Sequence, residues 1–258
     1  MRTTAVMNLK GGTGKTVTTI NTAAILAQRY GFRVLVIDAD SQCNLTETVS
    51  RSPADGLRIG GLSDLLRGLP AMAMPSKIRN VDLLAADETL MALDISCAGN
   101  GSADTMALLN WLQEHEDVYD RVLIDCPPAF SAAAMAALIA ADEVVIPLKL
   151  DAFGIRGLAN ILEQIRNMRR LNAGLMVAGV LPTMVYPDDS QRDAEEKLRQ
   201  SLESCGIRMF PHIRRTTLMD ASTFEQLSLV EFSPKSKATW DYKAFVRELI
   251  AGGENDGI

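Results

Sequence analysis

Lys10-Gly11-Gly12-Thr13-Gly14-Lys15-Thr16 follows the short apolar stretch Ala5-Val6-Met7 and leads into Thr16 to Tyr30, whose apolar residues Ile20, Ala23, Ala24 and Ala27 recur at helical spacing. A glycine-rich loop that closes a strand and opens a helix turns consecutive backbone N–H groups inward around phosphate oxygens, and the helix N-terminus adds its dipole. In that geometry Lys15 reaches the β- and γ-phosphates of a nucleotide, and the Thr16 hydroxyl ligates Mg²⁺. The competing reading, a glycine turn that binds nothing, does not account for the Gly14-Lys15-Thr16 ending at a strand–helix junction.

Outward from the loop, strand and helix patterns alternate. Gly31 suits the end of the first helix. Val34 to Ile37, Val122 to Ile124, Val144 to Leu148 and Met176 to Leu181 are continuous apolar runs, the form of strands covered on both faces, and Val81 to Ala85 is a fainter one. Met106 to Leu112 (with Trp111 toward the core), Ile155 to Leu171, Asp189 to Cys205 and Trp240 to Ile250 read as helices, and Arg51 to Gly61 as a loop. Met72, Met74, Met91 and Met106 are expected to fill core. The alternation predicts an α/β fold, a mostly parallel sheet with helices on both faces, in one domain over residues 1–258 that ends in a polar tail from about 251. Such sheets bind ligands beyond the carboxyl ends of their strands, where Asp38, Asp40 and Asp125 fall.

Composition narrows the function. A chain of 258 residues, 47% hydrophobic and 22% charged, can bury a core without staples. Its four cysteines include no C-x-x-C pair and its two histidines lie far apart, which predicts a reducing, cytosolic setting and no structural zinc. The start shows no signal-peptide layout, and the longest uncharged stretch, Cys126 to Ala141, is too short and proline-broken to span a bilayer. A net charge of −6 argues against a generally basic coat but leaves room for a local basic patch.

The loop departs from the generic G-x-x-x-x-G-K-[ST] pattern, with Leu9 in place of the first glycine and a second lysine, Lys10, beside it. This K-G-G-x-G-K-T form resembles the deviant Walker A loop of the ParA/MinD superfamily of P-loop ATPases. The resemblance implies that ATP and Mg²⁺ are the cofactors, and that Gly11, Gly12, Thr13, Gly14, Lys15, Thr16 and Val17 hold the nucleotide. It also implies that Lys10 reaches across a two-fold homodimer to the partner's nucleotide. Asp38-Ala39-Asp40-Ser41-Gln42-Cys43-Asn44 resembles the family's D-x-D-P-Q-G-N switch, with Ser41 for proline and Cys43 for glycine. By that resemblance Asp40 positions the attacking water, and Asp38 joins Thr16 and Asp125 around the metal. Asp125-Cys126-Pro127-Pro128 resembles the D-x-P-P segment in which the acid holds Mg²⁺ through water, Cys126 being a small buried apolar residue. Ala141 to Pro147 resembles the strand that follows it.

Within the superfamily, the acidic, glycine-broken C-terminal stretch does not suit a basic membrane helix of the MinD kind. Cys97-Ala98-Gly99 mimics one cluster segment of a nitrogenase-type iron protein, but Ala132-Ala133-Ala134 occupies the place of the second cysteine, and a tyrosine-kinase tail is missing. The resemblance is therefore to short ParA-type partition ATPases, with a phosphate loop starting at residue 10. It implies slow, partner-stimulated hydrolysis, a ParB-like activator, non-specific DNA binding by the ATP dimer, and a cytoplasmic, nucleoid-associated protein. A cargo-positioning adaptor ATPase that does not use DNA is the alternative. Arg192, Arg199, Arg214 and Arg215 are the candidate DNA contacts, with Arg166, Arg169 and Arg170 a further basic cluster. Ile213 and Arg214 lie in a segment resembling the family's I-P-R motif, beside the adenine. Thr217 stands where a further family arginine is expected.

Overall fold

Apolar runs with no polar face to offer water become strands buried on both sides. The computed structural model describes residues 1–51, 60–97 and 103–254. Its first half contains β1 (Arg2–Val6), α1 (Lys15–Tyr30), β2 (Val34–Asp38), α2 (Asn44–Val49), α3 (Leu62–Leu65), β3 (Met74–Pro75), β4 (Val81–Leu84), α4 (Thr89–Cys97) and α5 (Ala107–Glu114). The second half adds β5 (Arg121–Asp125), α6 (Ala132–Ala140), β6 (Glu143–Lys149), α7 (Ala152–Met168), β7 (Met176–Thr183), α8 (Asp189–Ser204), α9 (Thr217–Phe224), α10 (Leu229–Phe232) and α11 (Lys237–Glu254).

Among the described residues the strands form one sheet in the order β3-β4-β2-β5-β1-β6-β7. All pairings are parallel except the short β3 against β4. Alternate residues of each central strand enter different cores. Leu35, Ile37, Val122, Ile124, Val144 and Ile146 face the layer of α5, α6 and α7. Val34, Val36, Leu123 and Val145 face α1 and α11. Register then builds the site: Asp38 on β2 lies opposite Asp125 on β5, and Asp125 opposite Val6 at the end of β1. Both acids and the start of the glycine loop thus share one edge of three adjacent strands.

Three expectations change. Residues 132–140, read only as part of an uncharged stretch, form α6, capped by Ser131 Oγ, which accepts from Ala134 N at 3.1 Å. Its residues are apolar on every side and nearly all are buried, so no amphipathic period marks it. Met72, Met91 and Met106 are exposed rather than core. They sit in the connection after α3, on α4, and at the start of α5, where no element covers them. The last helix does not break at its glycines but runs on to Glu254. A Cβ on Gly252 would stand 2.5 Å from Arg208 Nη1, whose guanidinium donates to Glu248 O, so the glycine admits this close approach. The Cys97-Ala98-Gly99 segment beyond Cys97, most of the 51–61 loop and residues 255–258 lie outside the described residues.

Candidate functional site

The phosphate loop keeps its shape through glycine and two tethers. Gly12 and Gly14 sit at φ 69° and 86°, a left-handed region that strains residues bearing a Cβ. Buried Asn8 accepts from Lys10 N at 2.9 Å and donates to Pro147 O at 2.7 Å, joining the loop to β6. Thr183 Oγ1, at the end of β7, donates to Thr13 O at 2.8 Å. Lys15 is buried under the loop, with Nζ 3.4 Å from Lys10 O. Burial lowers its pKa, against the raising pull of Asp125 and Asp40.

The acids beside it are equally costly. Asp38 and Asp125 are essentially inaccessible to water. Burial pushes Asp38 up to about 6, against the hydrogen bonds it accepts from Thr46 and Asp40. Burial, then the neighbouring Asp38 charge, raises Asp125 well above the usual carboxylate range, although the Thr16 hydroxyl bonds to it. Asp125 Oδ1 is buried without a hydrogen-bond partner. An orphaned carboxylate oxygen beside a threonine hydroxyl at a phosphate loop is an oxygen-donor set that suits Mg²⁺. Thr16 and Asp125 would hold the ion directly or through water.

Asp38 is placed differently. Its Oδ1 accepts from Asp40 N at 3.1 Å, and its Oδ2 accepts from both Thr46 N and Thr46 Oγ1 at 2.8 Å. Both oxygens are therefore engaged in holding the Asp38–Asn44 turn. Thr46 Oγ1 also accepts from Ala86 N at 3.0 Å, which ties the turn to the end of β4. Cys43 adopts φ 56°, the left-handed shape a glycine provides at low cost, so the turn survives the substitution at about 1–2 kcal/mol of strain. Asp40 is half-exposed at the lip, its Oδ1 accepting from Gln42 N at 3.0 Å. Thr46→Val removes a donor from a buried carboxylate and an acceptor from Ala86 N. It is expected to cost about 1–3 kcal/mol in urea unfolding, whereas Thr46→Ser retains most of that stability.

Lys10 points away from this cradle. Its Nζ lies 2.9 Å from each carboxylate oxygen of Asp151, and 5.7 Å from the centre of the Phe153 ring. Asp151 also caps α7, accepting from Gly154 N at 2.7 Å, and its pKa is lowered by these bonds despite partial burial. Phe153 is 71% exposed. Asp151→Asn leaves the cap acceptor in place but weakens the hold on the ammonium. The expected result is nearly unchanged thermal stability, since a half-exposed ion pair contributes about 0–1 kcal/mol, read by thermal unfolding.

Ile213 is buried and, with Gly14, Val17, Thr183, Met184 and Arg214, lines a cleft beside the loop. The candidate arginines differ in their partners. Arg214 makes a two-pronged pair with Asp241 at 2.7 and 2.8 Å, so its guanidinium is engaged within the protein. Arg192 pairs with Asp189, and Arg199 with Glu195 and Glu196. Arg215 is exposed and lies 5.7 Å from the Tyr186 ring centre. Sequence reading passed over Asn8, Thr46, Asp151 and Thr183. Only Asp151 carried a local signal, an acid immediately before a helical pattern.

Residues 1–177 match the protein family described as an AAA domain. The chain is 32% identical to the chromosome-partitioning ATPase Soj of Thermus thermophilus, over 97% of this chain and 96% of that one. It is 30% identical to the chromosome partitioning protein ParA of Caulobacter vibrioides, over 97% and 94%. The crystal structure of cobyrinic acid a,c-diamide synthase from Mycobacterium smegmatis, with a bound ATP analogue and magnesium, superposes with a TM-score of 0.84. That match is at 26% identity and covers 99% of this chain and 96% of the other.

Proposed function

From its membership of the ParA/MinD superfamily of deviant Walker A ATPases, to which this chain belongs, we propose that it is a dimerising switch that partitions DNA. It is an ATPase, and ATP and Mg²⁺ are its cofactors. The finer reading is one ATPase domain over residues 1–258, cytoplasmic and nucleoid-associated, that binds DNA without sequence preference as an ATP homodimer and is released by a ParB-like activator.

The observation that carries this reading is the division of labour between the two lysines. Lys15 is buried under the loop, whereas Lys10 is turned outward onto Asp151 with 35% of its side chain exposed. A single-chain site has its phosphate cation in Lys15, so Lys10, held on Asp151, would be the cation to exchange that partner for another subunit's nucleotide. The loop N–H groups and Lys15 would grip the phosphates, Asp40 would orient the water, and Lys10 of a second copy would meet the developing charge. Bound Mg²⁺ supplies charge neutralisation between the phosphates. Asp38 would act through the turn that it fixes, positioning Asp40. A site complete only in the dimer turns over slowly on its own, which suits a switch.

Sedimentation with ATP·Mg²⁺ against ADP·Mg²⁺, followed by gel shift with duplex DNA at low salt, tests the reading. A dimer with ATP alone, retarding every duplex alike, is expected. A monomer with ATP contradicts the switch, and an ATP dimer that leaves DNA free contradicts the partition role.

A further inference from the structure

α11 divides cleanly into two faces. Ala238, Tyr242, Phe245, Val246 and Leu249 are buried in the core against α1. The opposite face carries Lys237, Trp240 and Arg247, with Lys243 beside them and Lys235 just ahead of the helix. Trp240 is 60% exposed, and Lys243 Nζ lies 5.0 Å from its ring centre. Among the described residues none of these four cations forms an ion pair, in contrast to Arg192, Arg199 and Arg214. Of the acids on the helix, Asp241 is neutralised by Arg214, a pair that tethers the segment carrying exposed Arg215 to the same helix, and Glu248 is the one negative charge left beside the four cations. In a chain of net charge −6 such a strip is a local exception.

Resting on the DNA reading above, we propose that the outward face of α11, from Lys235 to Arg247, is the surface that takes the phosphate backbone of duplex DNA. Lysines and an arginine spaced along one helix face match the repeating charge of a duplex, and dimerisation doubles the strip and supplies avidity. The Trp240 indole N–H has no protein acceptor among the described residues and is free to donate to a phosphate, while its ring covers sugar. A lipid surface fits less well: membrane-seeking helices keep an apolar face to insert, and the apolar face of α11 is already spent in the core. A single strand fits less well too, since strand grooves stack successive bases on a series of aromatics and this face has one.

The test uses the ATP-bound dimer isolated by sedimentation, a random-sequence duplex of about one to three helical turns, and vesicles containing phosphatidylglycerol. The triple variant Lys237→Glu, Lys243→Glu, Arg247→Glu should bind duplex at least about tenfold more weakly, with the log–log salt slope reduced by about 1 for each phosphate no longer neutralised. Duplex should quench tryptophan emission in the parent but not in Trp240→Phe, where buried Trp111 alone reports. A parent that binds duplex while the triple variant binds equally well overturns the assignment to α11 and leaves the partition reading standing. A parent that binds no duplex overturns both. A blue shift of Trp240 on vesicles without a response to duplex also overturns the assignment, in favour of a membrane.

Discussion

Lys15→Ala is expected to weaken ATP binding about 10- to 100-fold or more, the loss of charge-assisted hydrogen bonds worth about 1.5–3 kcal/mol. The structure shows why the loss falls on the ligand and not on the fold. Lys15 is buried with a lowered pKa, so its charge is a cost to the empty protein that phosphate oxygens would relieve. Its one side-chain hydrogen bond among the described residues is to a backbone oxygen at 3.4 Å, a weak interaction to forfeit. Thermal unfolding separates the two effects. Saturating ATP at about 100 times its Kd stabilises the parent by about 2.7 kcal/mol, and at this chain length each kcal/mol shifts Tm by about 2–4 °C. At the same ATP concentration the stabilisation should fall to about 0.4–1.4 kcal/mol in Lys15→Ala, while the nucleotide-free Tm stays near the parent value. An undiminished shift would remove Lys15 from the phosphate site.

Asp40→Ala should behave in the opposite way. Its carboxylate is half-exposed and accepts one backbone hydrogen bond, from Gln42 N, at the lip of the site. Neither the loop nor the buried acids lean on that side chain, because Asp38 holds the turn through the backbone N–H of residue 40 rather than its carboxylate. Nucleotide affinity should therefore survive, while turnover falls by about 10²- to 10⁴-fold, the usual range for losing a group that positions or deprotonates water. An ATP dimer that cannot discharge should accumulate, visible as a long-lived dimer in sedimentation. Rapid hydrolysis by this variant would exclude Asp40 from the mechanism.

The features legible in the sequence are those written locally. Strands β2, β5 and β6 are continuous apolar runs, and register alone then brings Asp38 and Asp125 together. The glycine loop was legible because backbone geometry constrains its composition. α6 was hidden because a helix buried all round has no stripe to read. The two-residue β3 is too short for any period. The tethers of the site were hidden for another reason: Asn8 matters through Pro147 and Thr183 through Thr13, partners more than a hundred residues away that no spacing rule connects. Among the arginines, exposure and pairing decide whether a cation is available, and Arg214 is engaged by Asp241, a partner far along the chain that no spacing rule connects. The same blindness concealed the strip on α11, whose cations are notable only for the acids they do not meet.

The claim that one nucleotide is served by two chains is tested most directly by mixing two inactive variants. Lys10→Ala keeps Lys15 and Asp40 but has no lysine to lend its partner; Asp40→Ala lends Lys10 but cannot position water. In a mixed dimer, the site on the Lys10→Ala chain holds its own Lys15 and Asp40 and receives Lys10 from the other chain. An equal mixture should recover about a quarter of parental turnover, since about half of the dimers are mixed and each has one complete site of two. A mixture as inactive as its components, with mixed dimers present, would mean that Lys10 serves its own chain.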